Sequence, residues 1–570
     1  MSMVHERNED LSLVLAGQAG QGIETIESVL VHILKHACYD VFATKEYMSR
    51  VRLGANSTEI RLSSKKKVNC YVDRIDVLVP LEKQSLARLA PRISGSTIVV
   101  CDEDVFAGAG RHVLVPVRSL ADEAGGRIFT STIAIGLVTG MLGIDASLAE
   151  AQVRREFASK TADIVDKNLI ALRKGMDAGK ELVDSGKIAI SMRTDACVAE
   201  DILVNGAEAI ALGAIAGGCN FIASYPMSPS TAVLSSLAEK SRIFDIIAEQ
   251  SEDEIAAINM ALGAWYAGAR AMVTTSGGGF ALMCEGVSLA GMIESPVVIH
   301  IAQRPGPATG LPTRTEQGDL NLALYSGHGE FPRIILAPGT IDDGFYLAQR
   351  AFNLAAKYQV PVFILSDQYY VDSYYNNPPF KLDGLKVEQH VVKTTSTYKR
   401  YAMTPGGISP RGIPGHGDGF VLVDSDEHDE AGHITEDFGV RTAMVDKRLR
   451  KLDSLNDDSI PPRFSGASSY KKLVVGWGST SNAIDEAISE IGDPELAHLH
   501  LLQVHPLQPS IRQYINRAAR VLLVEQNPAG QLAQLLKLQL GIEIDRKILK
   551  YSGEPFHVEE LARRIKTEVA

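Results

Sequence analysis

The feature that most constrains the fold of this chain is a regular alternation of short apolar segments and helical segments between residues 207 and 366. Short apolar runs at 221–224, 270–275, 297–302 and 360–366, and a further predicted strand at 244–248, alternate with stretches of helical periodicity. Strands that are buried on both faces of a parallel sheet have this continuous apolar character. The pattern predicts a parallel sheet covered by helices, with the functional loops at the carboxyl ends of the strands.

Two further α/β segments flank this region. The first begins with an apolar run at 11–16, the glycine turn Gly17–Gly22 and an amphipathic stretch at 23–38, and the last covers residues 473–540. We therefore predict three α/β domains with parallel or mixed sheets, at 1–190, 191–385 and 469–570. Residues 386–468 are rich in Pro, Gly, Asp and His, and are predicted to be a linker or excursion.

Composition excludes several classes of protein. The 57 Lys and Arg against 69 Asp and Glu give a net charge of −12, which argues against binding to nucleic acid or an anionic membrane. The six cysteines are scattered without a CxxC motif, so they match no zinc or iron–sulfur spacing, and their scarcity fits a reducing cytoplasm. The charged first ten residues do not form a signal peptide. Residues 209–238 lack charged side chains, but we expect a buried helix, a strand and a loop there rather than a membrane span.

The loop Tyr225–Thr231, with the sequence YPMSPST, follows one predicted strand. Its two prolines restrict the backbone, and its hydroxyl groups, including that of Ser228, lie at the edge of the sheet where ligands bind. Ser230 or Thr231 is also expected to cap the next helix.

An acidic segment, QSEDEI at 250–255, follows the next predicted strand. Ser251 and Glu254 have the spacing of a capping box, which accounts for much of this acidity. It does not account for Glu252, and a carboxylate at this junction is a candidate for proton transfer.

Residues 303–319 form a long loop that contains Arg304 and Arg314 among glycines and hydroxyl side chains. A guanidinium group offers a planar fork of donors, so the loop suits the binding of a carboxylate. The alternative is that these are ordinary surface arginines.

Two other motifs leave alternatives open. The glycine turn has the form GxxGxG rather than the dinucleotide pattern GxGxxG, so it either packs a helix tightly against a strand or contacts a phosphate or pantetheine group. Gly417-Asp418-Gly419 matches the start of a diphosphate and magnesium motif, but its Asn partner is missing before Asn456. With His416, His428 and His433 nearby, this segment fits no standard ligand spacing, and we predict a solvated loop and no metal site in this chain.

Taken together, several segments resemble the α subunit of 2-oxoacid:ferredoxin oxidoreductases, namely YPMSPST, QSEDEIAAINMALGAWYAGARA, TSGGGF, QRPGPATGLPTRTEQGDL and HGEFPRIILAPG. The GQAGQG segment is similar to the family's γ domain, and VVGWGSTSNAIDEA with VLLVEQNPAGQLAQLL is similar to its carboxyl-terminal transketolase-like domain. The chain departs from the family's YPITPST at Met227 and Ser228, and from TSGPG at Gly278.

The resemblance implies a γ-type domain, a pyrimidine-binding domain and a transketolase-like domain in that order. It implies thiamine diphosphate shared with a β subunit that carries Mg²⁺ and a [4Fe-4S] cluster, coenzyme A as co-substrate, ferredoxin as electron partner and an (αβ)2 assembly. The fused γ–α form includes enzymes for 2-oxoglutarate, which is the expected substrate. Pyruvate, branched-chain oxoacids or indolepyruvate are the alternatives, and a non-catalytic scaffold subunit is a third possibility.

The resemblance also implies roles for individual residues. Glu252 matches the glutamate that contacts the aminopyrimidine ring and promotes removal of the thiazolium proton. The implied catalytic residues are Glu252, Arg304 and Ser228. The implied cofactor contacts are Tyr225, Pro226, Ser228, Glu252, Ser276 and Gly277; the substrate contacts are Ser228, Arg304, Thr309 and Arg314; and the coenzyme A contacts are Gly17, Gln18, Gly20, Gln21 and Gly22.

Overall fold

The computed structural model describes residues 10–47, 54–64, 67–105 and 110–569. The chain divides into two compact units. The first contains the residues up to 204 together with 373–379 and 557–559, and the second contains 205–372, 380–556 and the residues from 560 onward. Strands and helices are numbered along the whole chain.

The first unit is built on a mixed sheet of eight strands within the described residues. The strand order is β6-β5-β4-β1-β3-β2-β14-β7, where β1 pairs with β3 in antiparallel and with β4 in parallel orientation. Its elements are β1 (Asp10–Gln18), α1 (Ile23–His36), β2 (Asp40–Glu46), β3 (Ala55–Ser63), β4 (Val77–Pro80), α2 (Lys83–Leu89), β5 (Ile98–Cys101), β6 (Arg111–Leu114), α3 (Val117–Glu123), α4 (Thr130–Met141), α5 (Ala146–Glu156), α6 (Ala162–Asp184), β7 (Ile202–Asn205) and β14 (Tyr374–Asn377).

Helices α4 and α6 of this unit pack together at unusually short range. A β-carbon placed on Gly140 would lie 2.2 Å from the carbonyl oxygen of Met176, so only glycine allows the two backbones to approach this closely. Residues from the amino-terminal ends of both helices lie beside the glycine turn that follows β1.

The second unit contains a seven-stranded and a five-stranded sheet. The elements up to residue 372 are α7 (Gly206–Ala216), β8 (Phe221–Ser224), α8 (Thr231–Phe244), β9 (Ile247–Gln250), α9 (Glu254–Tyr266), β10 (Ala271–Thr275), α10 (Gly277–Phe280), α11 (Cys284–Met292), β11 (Val297–Gln303), α12 (Leu320–Tyr325), β12 (Ile334–Leu336), α13 (Ile341–Tyr358), β13 (Pro361–Asp367) and α14 (Gln368–Asp372). The later elements are α15 (Phe438–Asp457), β15 (Arg463–Ser465), β16 (Lys472–Trp477), α16 (Thr480–Ile491), β17 (Leu496–Leu501), β18 (Gln503–His505), α17 (Ile511–Arg517), β19 (Arg520–Glu525), α18 (Gln531–Leu540), β20 (Arg546–Leu549) and α19 (Val558–Glu568).

The seven-stranded sheet has the order β18-β12-β13-β11-β10-β8-β9, and all of its pairings are parallel except that of β12 with β18. The five-stranded sheet has the order β15-β17-β16-β19-β20, and only β15 runs antiparallel to its neighbour. The three sheets confirm the predicted fold class of parallel and mixed α/β domains.

The structure corrects the start of one strand in the seven-stranded sheet. The strand predicted to begin at Phe244 begins at Ile247, because α8 continues to Phe244 and ends at Asp245 in a left-handed conformation. β9 is an edge strand with Ile247 exposed, so its boundary is not marked by an apolar run.

The uncharged stretch 209–238 forms parts of α7 and α8 with β8 between them. No helix of the described residues is long and apolar enough to cross a bilayer.

Candidate active site

Four loops meet at one edge of the seven-stranded sheet. They follow β9, β8, β10 and β11, which are neighbours in that order and run parallel. Because the carboxyl ends of parallel strands lie on the same edge, the loops that carry Glu252, Ser228, Ser276 and Arg304 are brought together there.

A direct hydrogen bond joins the loops after β8 and β11. Arg304 Nη1 donates to the carbonyl oxygen of Ser228 at 2.6 Å, while the Ser228 side chain itself is exposed. The expected cap by Ser230 or Thr231 is wrong, because Ser230 Oγ instead donates to the carbonyl oxygen of Met227 at 2.7 Å. The serine therefore holds the shape of the loop rather than the start of α8.

Glu252 is exposed between the end of β9 and the start of α9. The predicted capping box of Ser251 and Glu254 is wrong, since Asp253 Oδ1 accepts the N–H of Ala256 at 2.7 Å and caps the helix. The N–H of Ser251 donates to the carbonyl oxygen of Ser224 at 3.1 Å, which keeps this junction beside the loop after β8. Glu252 is thus left with its carboxylate directed to solvent at the sheet edge.

The chain directly after β10 is closely packed. Ser276 is fully buried, and its Oγ atom has no hydrogen-bond partner among the described residues. A β-carbon on Gly277 would lie 2.2 Å from both carboxylate oxygens of Asp319, so this carboxyl group packs directly against the glycine backbone. The Ser276 hydroxyl is therefore a buried, unpaired polar group just beneath this edge.

His300 supports the loops from within the sheet. Its two ring nitrogens lie 2.7 Å from Thr274 Oγ1 and 2.7 Å from Ser366 Oγ, so it links β10, β11 and β13. Burial lowers the pKa of His300 to about 3, and the imidazole is therefore neutral near pH 7. Its role in the structure is to connect these strands through hydrogen bonds.

The five-stranded sheet holds the long loop that begins at Arg304. The N–H of Gln317 donates to the carbonyl oxygen of Gln526 at 2.7 Å, and its Nε2 donates to the carbonyl oxygen of Trp477 at 2.8 Å. The N–H of Gln526 returns a bond to Gln317 Oε1 at 2.9 Å. The loop between Arg304 and Asp319 is therefore fixed at its carboxyl-terminal half.

The two remaining substrate candidates occupy different parts of this loop. Thr309 is exposed near its tip. The side chain of Arg314 lies beside Gly553, where a β-carbon would be 3.2 Å from the Arg314 Cβ atom. Arg314 is thus set against the carboxyl-terminal segment.

The glycine turn after β1 lies in the first unit. Gly20 and Gly22 have positive φ angles of 97° and 73°, and the N–H of Gln18 donates to Gln21 Oε1 at 2.8 Å. Gly20, Gln21 and Gly22 line a cavity of about 1010 Å³ whose other walls include Arg118, Arg127, Lys160 and Lys167. The carboxylate of Asp163, paired with Lys167 at 2.7 Å, also lines it. The turn therefore faces an open cavity with an excess of cationic side chains, which suits an anionic ligand.

The segment around Gly417-Asp418-Gly419 does not behave as a solvated loop throughout. The N–H of Asp418 donates to the carbonyl oxygen of Thr394 at 3.0 Å, and His428 is fully buried with its ring 3.9 Å from that of Tyr401. The predicted solvated loop is thus wrong for His428, which packs against an aromatic ring. No group of three or more His, Cys, Asp or Glu side chains in the described part of the chain is arranged to hold a metal ion.

Sequence reasoning missed how two carboxylates pack at this edge: the buried Glu254, which it assigned to a capping box, and the half-buried Asp319. Glu254 is 3% exposed and its Oε1 atom has no hydrogen-bond partner within the described ranges, close to Gly279. Asp319 lies 42 positions after Gly277 in sequence, and only the fold brings them together. Glu254 carries only the spacing of a capping box that the structure does not form, and no local pattern marks Asp319.

Comparison with known proteins places this architecture among characterised relatives. The protein family described as "Pyruvate flavodoxin/ferredoxin oxidoreductase, thiamine diP-bdg" matches residues 212–447, and "Pyruvate ferredoxin/flavodoxin oxidoreductase" matches residues 12–178. The 2-oxoacid:ferredoxin oxidoreductase subunit alpha of Sulfolobus sp. is 31% identical, with 97% of this chain and 96% of the relative covered.

Two further relatives carry more specific names. The 2-oxoglutarate oxidoreductase subunit KorA of Mycobacterium tuberculosis is 30% identical over 99% of this chain and 92% of its own length. The solved structure of 2-oxoglutarate:ferredoxin oxidoreductase from Magnetococcus marinus, with 2-oxoglutarate, coenzyme A and succinyl-CoA bound, is 28% identical and superposes with a TM-score of 0.91, covering 99% of this chain and 100% of that chain.

Proposed function

Because the chain belongs to the α subunits of the 2-oxoacid:ferredoxin oxidoreductase family, we propose that it oxidatively decarboxylates 2-oxoglutarate together with a β subunit. The products are succinyl-CoA and CO2, coenzyme A is the co-substrate, and the electrons pass to ferredoxin or, in the reverse direction, come from it. The observation that carries the proposal is the junction of the Arg304 and Ser228 loops beside Glu252 at one sheet edge.

The choice of 2-oxoglutarate is supported by the relatives. The mycobacterial relative is named for 2-oxoglutarate, and the Magnetococcus structure, which matches this chain from end to end, holds 2-oxoglutarate and succinyl-CoA. The Sulfolobus relative has the broader name of 2-oxoacid enzyme, and this supports a second candidate, an enzyme of the same family that accepts several 2-oxoacids.

The residues at the sheet edge fit thiamine diphosphate. Glu252 offers an exposed carboxylate that can exchange a proton, and the buried Ser276 and Gly277 lie directly beneath the surface at the same edge. Thiamine diphosphate, when bound, supplies the carbon nucleophile and electron sink of the reaction. We assign to Glu252 the exchange of a proton with the aminopyrimidine ring, with Tyr225, Pro226, Ser228, Ser276 and Gly277 forming the adjoining wall.

Arg304 is proposed to hold the carboxylate of the oxoacid. Its guanidinium stands at the carboxyl end of β11, where one nitrogen is committed to the Ser228 carbonyl. A guanidinium presents five N–H donors in a planar fork, an arrangement suited to orienting an anion. Ser228, Thr309 and Arg314 are proposed as additional substrate contacts from the same two loops.

Coenzyme A is proposed to enter the basic cavity beside the turn of Gly17, Gln18, Gly20, Gln21 and Gly22. A volume of about 1010 Å³ accommodates a large ligand, and the cationic side chains along its wall would pair with phosphate groups. Of the two alternatives left open for this turn, the cavity favours ligand contact.

The remaining chemistry is proposed to reside on the partner. The six cysteines at 38, 70, 101, 197, 219 and 284 have no cluster spacing, so we assign the [4Fe-4S] cluster and the Mg²⁺ that binds the diphosphate to the β subunit of an (αβ)2 enzyme. The scaffold alternative requires no role for Glu252, which separates it from the enzyme proposal.

The proposal is tested by purifying the chain with its β partner and measuring reduction of a ferredoxin or dye acceptor. Assays with 2-oxoglutarate, pyruvate, branched-chain oxoacids and indolepyruvate, each with and without coenzyme A, should give the highest kcat/KM for 2-oxoglutarate with coenzyme A. A complex that reduces the acceptor with none of these oxoacids would contradict the assignment, and similar values for several of them would favour the broader 2-oxoacid enzyme.

A further inference from the structure

Ile128 is a large apolar side chain that stands almost fully in solvent at the wall of the basic cavity beside the glycine turn. Its exposed fraction is 84%, whereas the neighbouring Phe129 is 8% exposed. Both residues line the cavity. Exposed apolar side chains need no explanation when they are scattered singly, but one on the wall of a cavity offers a surface that a ligand can cover.

The exposure of Ile128 is a fixed feature of the loop between α3 and α4. The N–H of Phe129 donates to the carbonyl oxygen of Gly126 at 3.1 Å, and the Thr130 hydroxyl donates to the carbonyl oxygen of Arg127 at 2.7 Å. Gly126 has a φ of 136°, which residues other than glycine rarely adopt. These bonds close a single turn of 3₁₀-helix, which holds Ile128 outward while Phe129 turns inward.

The cavity wall around this loop carries an excess of positive charge. Four cationic side chains line it, namely Arg118, Arg127, Lys160 and Lys167. Among the described residues of the wall, Asp163 supplies the one carboxylate, and it is paired with Lys167 at 2.7 Å. The side chain of Arg127, which directly precedes Ile128, is 71% exposed. A ligand that fills this cavity is therefore expected to be polyanionic, with an apolar part next to its charges.

Coenzyme A has two chemically different halves. The adenosine half carries the 3′-phosphate and the diphosphate beside an aromatic base, whereas the pantetheine arm is uncharged. An apolar side chain next to cations fits the adenosine half, because the face of a purine can pack on an aliphatic group while the phosphates pair with Arg and Lys. The surroundings of Ile128 thus suit the nucleotide end of the carrier rather than its thiol end.

We propose that Ile128 forms the surface on which the adenine base of coenzyme A packs, so that the loop 126–130 selects carriers that contain the nucleotide. The contact is non-covalent and lies at the end of the carrier remote from the thiol, so it acts on the affinity for coenzyme A and not on the chemical step. This inference rests on the proposed function, since it takes the basic cavity as the site of coenzyme A.

The test measures ligand binding to the complete αβ complex by isothermal titration calorimetry, which requires no turnover. The ligands are coenzyme A, adenosine 3′,5′-bisphosphate, and 4′-phosphopantetheine, which lacks the adenosine. Ile128→Ser removes the apolar surface at a position whose exposure predicts an unchanged fold. We expect it to raise the Kd for both adenosine-containing ligands by about fivefold or more, and to leave that for 4′-phosphopantetheine within about twofold of wild type. Ile128→Phe keeps an apolar face for the base and should bind them at least as tightly as wild type.

Ile170→Ser, at an exposed position of α6 that does not line the cavity, is the matched control and should bind all of the ligands as wild type does. Unchanged Kd values for the adenosine-containing ligands in Ile128→Ser would overturn the proposal. An equal loss of affinity for 4′-phosphopantetheine would also overturn it, because that result indicates a distorted loop rather than a lost contact with the base.

Lys160→Ala distinguishes failure of this inference from failure of the proposed function. If Lys160→Ala weakens the binding of coenzyme A and Ile128→Ser does not, the adenine contact is wrong and the cavity remains the coenzyme site. If neither variant weakens it, the assignment of coenzyme A to the cavity is wrong as well.

Discussion

The guanidinium of Arg304 and the main-chain carbonyl of Ser228 are joined by a hydrogen bond of 2.6 Å. The bond spans β10, which lies between β8 and β11 in the sheet. It fixes the YPMSPST loop and Arg304 relative to each other. The orientation of the guanidinium that we propose to bind the substrate therefore depends on the backbone of the neighbouring loop. The two residues form one positioning element.

Arg304→Lys is therefore expected to impair the enzyme although it keeps the charge. A lysine cannot bond the Ser228 carbonyl and a carboxylate in a fixed planar arrangement. Loss of a charged hydrogen bond of this kind costs about 1.5–3 kcal/mol, so kcat/KM for the oxoacid should fall by roughly tenfold or more, mainly through KM. Steady-state kinetics of the αβ complex provide the measurement.

Arg242→Lys, at an exposed position of α8, makes the same exchange away from the site and should retain wild-type kinetics. Unchanged KM and kcat for all oxoacids in Arg304→Lys would remove this residue from the substrate site.

The basic cavity in the first unit gives a prediction for coenzyme A. Arg127→Ala and Lys160→Ala each remove a cation from the cavity wall and should raise the KM for coenzyme A by about fivefold or more, because pairing with a phosphate is lost. The KM for the oxoacid should not change. Lys187→Ala, an exposed position outside the cavity, serves as the control, and an unaltered coenzyme A dependence in both cavity variants would contradict the assignment.

A buried ion cluster anchors α15 and predicts a large effect on stability. Glu294 is 1% exposed, and its two carboxylate oxygens lie 2.6 Å from the Nζ atoms of Lys447 and Lys451. Burial alone would raise the pKa of Glu294, but the charges of Lys451, Lys447 and Arg400 hold it well below its usual range. The carboxylate is therefore ionised, and its stabilising contribution is lost only in strong acid.

Glu294→Gln leaves two buried ammonium groups without a counterion and should destabilise the second unit by about 3–5 kcal/mol. Glu495→Gln removes one partner of the exposed pair with Lys471 and should cost about 1 kcal/mol or less. Thermal and denaturant unfolding, monitored by circular dichroism, would reveal the difference. Equal transitions for the two variants would show that the cluster contributes little.

The sheet edge at which the candidate residues lie could be predicted from the sequence. A buried parallel strand is recognised locally as a short apolar run, and the carboxyl ends of parallel strands lie at the same edge of their sheet. Glu252, Ser228 and Arg304 were found by this route, and their roles remain predictions. The packing of Asp319 against Gly277 could not be predicted, since it joins two loops distant in sequence.

The same limit applies to α15. This helix buries Lys447 and Lys451, so its core-facing side is charged and lacks the apolar periodicity that indicates a packed helix. Its contacts depend on Glu294, 153 positions from Lys447. Tertiary ion pairing of this kind leaves no pattern in the local sequence.

Glu252→Gln in the αβ complex tests the central claim most directly. The exchange removes a positioned acid–base group, whose loss typically costs about 10² to 10⁴ in rate, while the exposed position predicts an unchanged fold. We expect oxoacid-dependent acceptor reduction to be nearly abolished in Glu252→Gln and retained in the control Glu239→Gln, at an exposed position of α8, with both complexes assembled and equally stable. Activity of Glu252→Gln within a few-fold of wild type would contradict the account.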